Sequence, residues 1–355
     1  MTSADYSYDP LIRWVVKYSP VSKYNMSLSG LPEVKFSDFG IDTSYRPDLG
    51  DRKGMEKVFR DELCKLYGFP EKNVLITTGG SESIFLLSKY FLDRKFSIME
   101  GYPEYPPLFT VPESMGGKIS KHTYSSVREK FLTAGPRDVM FMSNPNNPLG
   151  SYIRKDMVSG LLRSGGDAPW IYADEAFLEF MLQNRPESLF ADGYNIVING
   201  SMTKFYGFSN FRVGWIVGPE SMIRQLDILR SITGAQNPSY PLWIATQCLQ
   251  NREKFQKRAR AVVGRDLSLL RSFLSKHSEL KLEADPGNVS FCFIKYSFDM
   301  DSEAFCSTLL DRTGVLLSPG SYFGLERGFR MCLTQNEREF SESLEALGKF
   351  LDSMN

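Results

Sequence analysis

The chain has 355 residues, 42% of them hydrophobic and 24% charged, the make-up of an ordinary globular protein larger than one average domain. Lysine plus arginine equals aspartate plus glutamate at 42 each, so the charge balance points to neither nucleic acid nor a membrane surface, and small-molecule substrates are expected. Five scattered cysteines, Cys64, Cys248, Cys292, Cys306 and Cys332, never in C-x-x-C spacing, argue against a disulfide framework and a zinc site and fit a reduced, cytoplasmic setting.

The first twenty residues lack a basic segment followed by an apolar core, and no run reaches the roughly 18 uninterrupted apolar residues that cross a bilayer, so neither export nor anchoring is expected. Next, GMEKVFRDELCKLYG spaces Val58, Leu63 and Leu66 at helical intervals and stops at Gly68, ahead of Pro70. Apolar runs then alternate with helical patterns: KNVLITT, SESIFLLSKYFLD, KFSIME, RDVMFMS, RKDMVSGLLRS, PWIYAD and YNIVING. This alternation predicts an α/β fold, a mostly parallel sheet covered by helices. Beyond residue 215 come ESMIRQLDILRSI and a charged stretch, NREKFQKRARAVVGRDLSLLRSFLSKHSEL, read as a long helix or helix pair. From Asn288 strands and helices return, ending in the amphipathic EFSESLEALGKFLDSM, which predicts a smaller α/β domain. The expected division is an N-terminal arm and part of the small domain (1–45), a large domain with a long connecting helix (46–284), and a small C-terminal domain (285–355).

Only two histidines are present: His122 reads as part of a strand edge and His277 as the polar end of a helix. Acid–base chemistry is therefore expected to rest on another residue type. In NGSMTKFYGFSNFRVGW a β-rich run ends in Ser201 and Lys204, with Arg212 eight positions after the lysine. An amine near a hydroxyl and a guanidinium has what an imine beside a phosphate needs, although alone it also reads as a surface lysine. Asp174, at the end of WIYA, is placed where a carboxylate needs a cationic partner; a protonated pyridine nitrogen, an arginine or a helix start each satisfies it.

TTGGSESIFLL is a strand end, two glycines and a helix start at Ser81, equally a phosphate cradle and an everyday N-cap, and neither a Walker nor a dinucleotide motif. SNPNNPLG is a tight turn that also brings asparagine amides to the sheet's carboxyl edge. GYPEYPP sets Tyr102 and Tyr105 at the same edge, where aromatics stack on a flat ligand or pack in the core.

In this order, together with D-E-A, S-x-x-K and a late F-R, these segments resemble the class I and II aminotransferases of the fold type I pyridoxal 5'-phosphate (PLP) enzymes, from about residue 45 to the end. The resemblance implies that Lys204 is the Schiff-base lysine, Asp174 the partner of the pyridine nitrogen and Asn147 the donor to the cofactor's phenolic oxygen. It gives ring stacking to Tyr102 and phosphate binding to Gly80, Ser81, Glu82, Ser201 and Arg212. Arg330 corresponds to the arginine that grips the substrate α-carboxylate, and Tyr45 to a phosphate contact lent by a neighbouring subunit. It implies a homodimer with shared active sites, no metal, and transfer of an amino group between an L-amino acid and a 2-oxo acid.

Three positions depart from the family pattern: Leu149 in the Asn-Pro turn, Asn210 between Lys204 and Arg212, and Phe177 where a tyrosine is frequent. Without that tyrosine's donor, the lysine imine is expected to hold its proton more tightly. ADEAFLEF and SMTKFY also resemble the threonine-phosphate decarboxylases, which makes decarboxylation the alternative reaction; a non-catalytic PLP-binding protein is the alternative from another class.

Overall fold

The computed structural model describes residues 9–44, 52–158, 160–161, 167–234 and 236–354. Helix α1 (Pro10–Tyr18) is capped by Asp9, whose carboxylate accepts from the Ile12 amide, and begins on a proline where a missing N–H costs nothing. Strand β1 (Tyr24–Asn25) and α2 (Arg52–Tyr67) follow, and α2 ends at Gly68 in the left-handed region. The alternating part comprises β2 (Val74–Thr77), α3 (Gly80–Asp93), β3 (Ser97–Tyr102), α4 (Pro107–Ser114), β4 (Ile119–Thr123), α5 (Tyr124–Leu132), β5 (Asp138–Ser143), α6 (Lys155–Val158), β6 (Trp170–Asp174), β7 (Ile196–Ser201) and β8 (Gly214–Val217). Then come α7 (Glu220–Thr233), α8 (Ser239–Gln250) and α9 (Arg252–Leu274), so the charged stretch is a single helix of 23 residues. The rest is β9 (Leu280–Leu282), β10 (Phe291–Tyr296), α10 (Ser302–Thr313), β11 (Val315–Leu316), β12 (Ser318–Pro319), β13 (Gly328–Cys332) and α11 (Glu337–Asp352).

Strands β2 to β8 form one sheet in the order β2-β8-β7-β6-β5-β3-β4. From β7 to β4 neighbours run parallel, while β8 is antiparallel to both β2 and β7. Side-chain alternation divides the core between the two faces. Val139, Phe141 and Tyr172 pack with Leu87 of α3 and Leu226 of α7, while Met140, Met142 and Ala173 join the larger cluster on the other side. Burial on both faces is why these strands read as unbroken apolar runs.

The second sheet, β12-β13-β10-β9, is antiparallel, and β1 pairs with β11 in parallel beside it. Helix α1 is fixed by the Trp14 indole, which donates to the Leu317 carbonyl at 2.8 Å. Among the described residues no helix is long and apolar enough to cross a membrane. The parallel strands β3, β5, β6 and β7 end at Tyr102, Ser143, Asp174 and Ser201 along one edge, the edge where open α/β sheets bind ligands.

Candidate active site

Asp174 is the last residue of β6, in register with Ser143 on β5 and Asn199 on β7, and only 5% exposed. Burial raises its pKa to about 6, against the opposing pull of the Ala176 amide, the Asn199 side chain and the charge of Lys204. Asn199 Nδ2 donates to Asp174 Oδ1 at 3.0 Å, and the Tyr172 hydroxyl donates to Asn199 Oδ1 at 2.7 Å. The carboxylate is therefore aimed by a chain of hydrogen bonds that runs through the sheet.

Lys204 follows the end of β7 and turns its amine into the same cleft, where Nζ donates to Ser29 Oγ at 3.0 Å. Enclosure lowers its pKa to about 8, the positive charges of Arg330 and Arg212 adding to the effect and Asp174 opposing it. A substantial neutral fraction at neutral to mildly alkaline pH suits an amine that must act as a nucleophile. The Leu31 amide donates to the Lys204 carbonyl at 2.8 Å, which seats the segment after β1 directly on the lysine's backbone. Phe177 is 3% exposed and also lines the cleft, its ring 5.8 Å from the Lys204 amine and packed edge-on against Phe291.

At the start of α3, Gly79 has φ 104°, a conformation that a side chain rarely adopts. A Cβ there would lie 2.9 Å from Arg212 Nη2, and one on Gly214 would lie 2.7 Å from the Gly79 Cα. Two bare backbones thus meet under a guanidinium, beside the free N–H groups of a 14-residue helix. The Glu82 carboxylate turns back to accept from the Thr78 amide at 2.6 Å and from its hydroxyl, which secures the turn. Arg212 itself has φ 50°, a strained value for a non-glycine residue. Gly80, Ser81, Ser201 and Arg212 line a narrow cleft together with Asp174 and Lys204. Ser201 Oγ, at its edge, exchanges hydrogen bonds with Thr203.

Arg330 on β13 closes the opposite end, 3% exposed. Nη1 donates to Asn147 Oδ1 at 2.9 Å and Nη2 to the Ser27 carbonyl at 2.7 Å. Its Nε is buried without a partner, and among the described residues no carboxylate pairs with this guanidinium. Burial lowers its pKa to about 10. Asn147 is in turn held by its amide, which donates to Ser143 Oγ at 2.9 Å, and Ser143 bonds the buried carboxylate of Glu104. With Oδ1 taken by Arg330, the Asn147 amide keeps Nδ2 as its donor.

Two sequence expectations fall elsewhere. Tyr102 does not line the cleft; its ring lies against Phe109 with Lys121 above it, so close to Gly324 that a Cβ there would come within 2.2 Å. The chain turns after β3 at Pro103, and Tyr105 is the aromatic carried into the cleft. Tyr45 lies outside the described residues. Sequence reasoning missed Ser27, Ser29, Asn199 and Glu104, of which only Asn199, within the strand before Lys204, carries a local signal. Neither histidine lines the cleft: His122 sits on the edge strand β4 beside Ser120, and His277 pairs with Glu279.

The donor set suits PLP: a buried carboxylate for a ring nitrogen, an enclosed amine, a glycine cradle under a strained arginine for a phosphate, and an unpaired guanidinium for a carboxylate. Residues 49–347 match the family aminotransferase class I and II. A histidinol-phosphate aminotransferase of Rhodopseudomonas palustris (strain TIE-1) is 24% identical over 309 residues, covering 84% of this chain and 82% of that protein. A PLP-dependent aminotransferase of Streptococcus suis superposes with a TM-score of 0.81 at 19% identity, over 99% of both chains. A PLP-dependent cyclase superposes with a TM-score of 0.81 at 21% identity, over 100% of both, a likeness that speaks to the fold. The chain belongs to the class I and II aminotransferases, transaminases that work with pyridoxal 5'-phosphate.

Proposed function

We propose that this enzyme moves an amino group between an L-amino acid and a 2-oxo acid, with Lys204 as the amine to which the cofactor attaches. The observation that carries this reading is the buried Arg330 guanidinium, without a carboxylate partner among the described residues, in one cleft with the enclosed amine of Lys204. A carboxylate on the substrate completes Arg330 through a planar, two-point contact. Bound in the cleft, PLP supplies an electron sink for the pair left when the substrate's Cα–H bond breaks.

The remaining roles belong to the chain. Asp174 would face the ring nitrogen and favour its protonated form, Asn147 Nδ2 would donate to the phenolic oxygen, and Gly80, Ser81, Glu82, Ser201 and Arg212 would hold the phosphate. Tyr105 rather than Tyr102 would lie against the ring. The amine of Lys204 would be the base that takes the proton from the substrate's Cα. We read residues 46–284 as the cofactor-holding domain and 285–355, with the N-terminal arm, as the smaller one. The family resemblance supports a cytoplasmic homodimer.

Borohydride reduction of the purified holoenzyme followed by peptide mapping tests attachment: the label is expected on Lys204, and its absence refutes the reading. Incubation with a panel of amino donors and 2-oxoglutarate then tests the reaction. Formation of the donor's oxo acid with glutamate is expected, whereas carbon dioxide released without oxo acid identifies a decarboxylase.

A further inference from the structure

Glu104 lies buried two residues beyond the end of β3, and none of the roles above employs it. Because β3 and β5 are parallel neighbours, the segments that leave them run side by side, and Glu104 comes to lie against Ser143, the last residue of β5. Oε1 bonds the Ser143 hydroxyl and accepts from the Tyr105 amide at 2.7 Å, while Oε2 accepts from the Ser143 amide at 3.0 Å and from Asn146 Nδ2 at 3.4 Å. Burial raises its pKa to about 8, the charge of Asp174 adding to the rise and the Ser143 and Tyr105 donors opposing it. In either protonation state it bonds the same hydroxyl, donating to Ser143 Oγ when neutral and accepting from it when ionised.

Two routes lead from this side chain and its backbone to the groups that face cofactor and substrate. Ser143 Oγ accepts from the Asn147 amide at 2.9 Å, and Asn147 Oδ1 accepts from Arg330. The Glu104 amide donates to the Phe323 carbonyl at 3.2 Å, and the Phe323 ring lies 5.0 Å from the Arg330 guanidinium. One residue thus joins the exits of two strands of the large sheet to the arginine of the small one, and every member of the network belongs to the same chain. Buried networks of this kind hold a side chain within the narrow range of positions from which it can act. Asn147 has most to lose from slack. Its Oδ1 is taken by Arg330, so Nδ2 is the donor left to it, and Phe177, which also lines the cleft, has none to offer.

We infer that Glu104 is a positioning residue: through Ser143 it holds Asn147 where Nδ2 donates to the cofactor's phenolic oxygen. This rests on the transaminase reading above, with Asn147 in that role. The consequence is electronic. A donor to the phenolic oxygen draws electron density from the nitrogen that joins Lys204 to the cofactor, so a displaced Asn147 lets that nitrogen keep its proton to higher pH.

The midpoint of the holoenzyme's visible absorbance change with pH reads this without turnover. Asn147→Ala is expected to raise the midpoint by about one pH unit, and Glu104→Met, similar in length but with no oxygen to bond Ser143, by about half of that. Ser143→Ala leaves Glu104 in place and removes the hydroxyl between it and Asn147; it should raise the midpoint as Glu104→Met does, and it decides the matter if that variant does not fold. The Glu104→Met, Asn147→Ala double variant should titrate no higher than Asn147→Ala alone. A folded Glu104→Met or Ser143→Ala holoenzyme with the wild-type midpoint overturns the proposal, as does a double variant in which the two increments add. A midpoint moved by Asn147→Ala but by neither of the others removes this proposal and leaves the reading of Asn147 standing, whereas one that Asn147→Ala does not move removes both.

Discussion

At the floor of the cleft Asp174, Lys204 and Arg330 are each tied to a second polar group, and two of them through it to others: Asp174 to Asn199 and Tyr172, Lys204 to Ser29, Arg330 to Asn147, Ser143 and Glu104. At its mouth, Ile12, Val16 and Leu28 stand in solvent with hydrocarbon uncovered. The floor cannot lose a member without leaving a buried charge or donor unanswered, which is costly in a low-dielectric setting. At the mouth, side chains already in solvent can be altered one at a time without leaving a buried group unanswered. Polar networks and bare hydrocarbon thus occupy separate parts of one cleft.

Substitutions that break the floor should therefore act on rate, and in a definite order. Lys204→Ala is expected to lower turnover by about 10³-fold or more and to abolish borohydride labelling. A variant that keeps a tenth of wild-type turnover would contradict the assignment. Arg330→Ala should reduce kcat/KM by about 10²-fold, mainly through KM, with cofactor absorbance retained; Arg330→Lys should recover little because the two-point contact is lost.

A pH-dependent stability difference sharpens the same contrast in the cofactor-free protein. The pKa of Lys204 is about 8 in the fold against an ordinary 10.5, so between those values the unfolded chain binds more protons. The penalty for enclosing the amine is complete below about pH 8 and fades as pH rises towards 10.5. Lys204→Met should accordingly be more stable than wild type near neutrality, on the order of 2 kcal/mol, with the gap closing at alkaline pH in urea titrations. A gap that does not change with pH would count against the enclosed amine. The smallest effect is expected for Asn199→Ala, which removes a donor to Asp174: an approximately tenfold fall in kcat, with the acidic limb of the pH–rate profile moved upward as the carboxylate becomes harder to ionise.

The large sheet was legible because its parallel strands are buried on both faces and so read as unbroken apolar runs. Strand β8 was not, since four residues are too few for a period to show. Helix α8 packs apolar side chains on most of its sides and carries no amphipathic pattern that would have announced it. Within the cleft, Asp174, Lys204, Asn147 and Arg330 could be named because the order of short motifs identified them. Ser29 could not, because it lies 175 residues from the lysine it contacts and only the fold brings the two together. The exchange of Tyr102 for Tyr105 has a similar origin: both follow one strand, and the direction of the turn after it, not the composition, decides which ring enters the cleft.

The segment from Ser27 to Leu31 touches both ends of the chemistry. Through the Ser27 carbonyl it fixes the guanidinium of Arg330, and through Ser29 Oγ and the Leu31 amide it fixes the amine and the backbone of Lys204. One short segment therefore helps to set the position of both the guanidinium and the amine. A single-residue insertion between Ser27 and Ser29 would shift one of these groups relative to the other without altering any group that reacts.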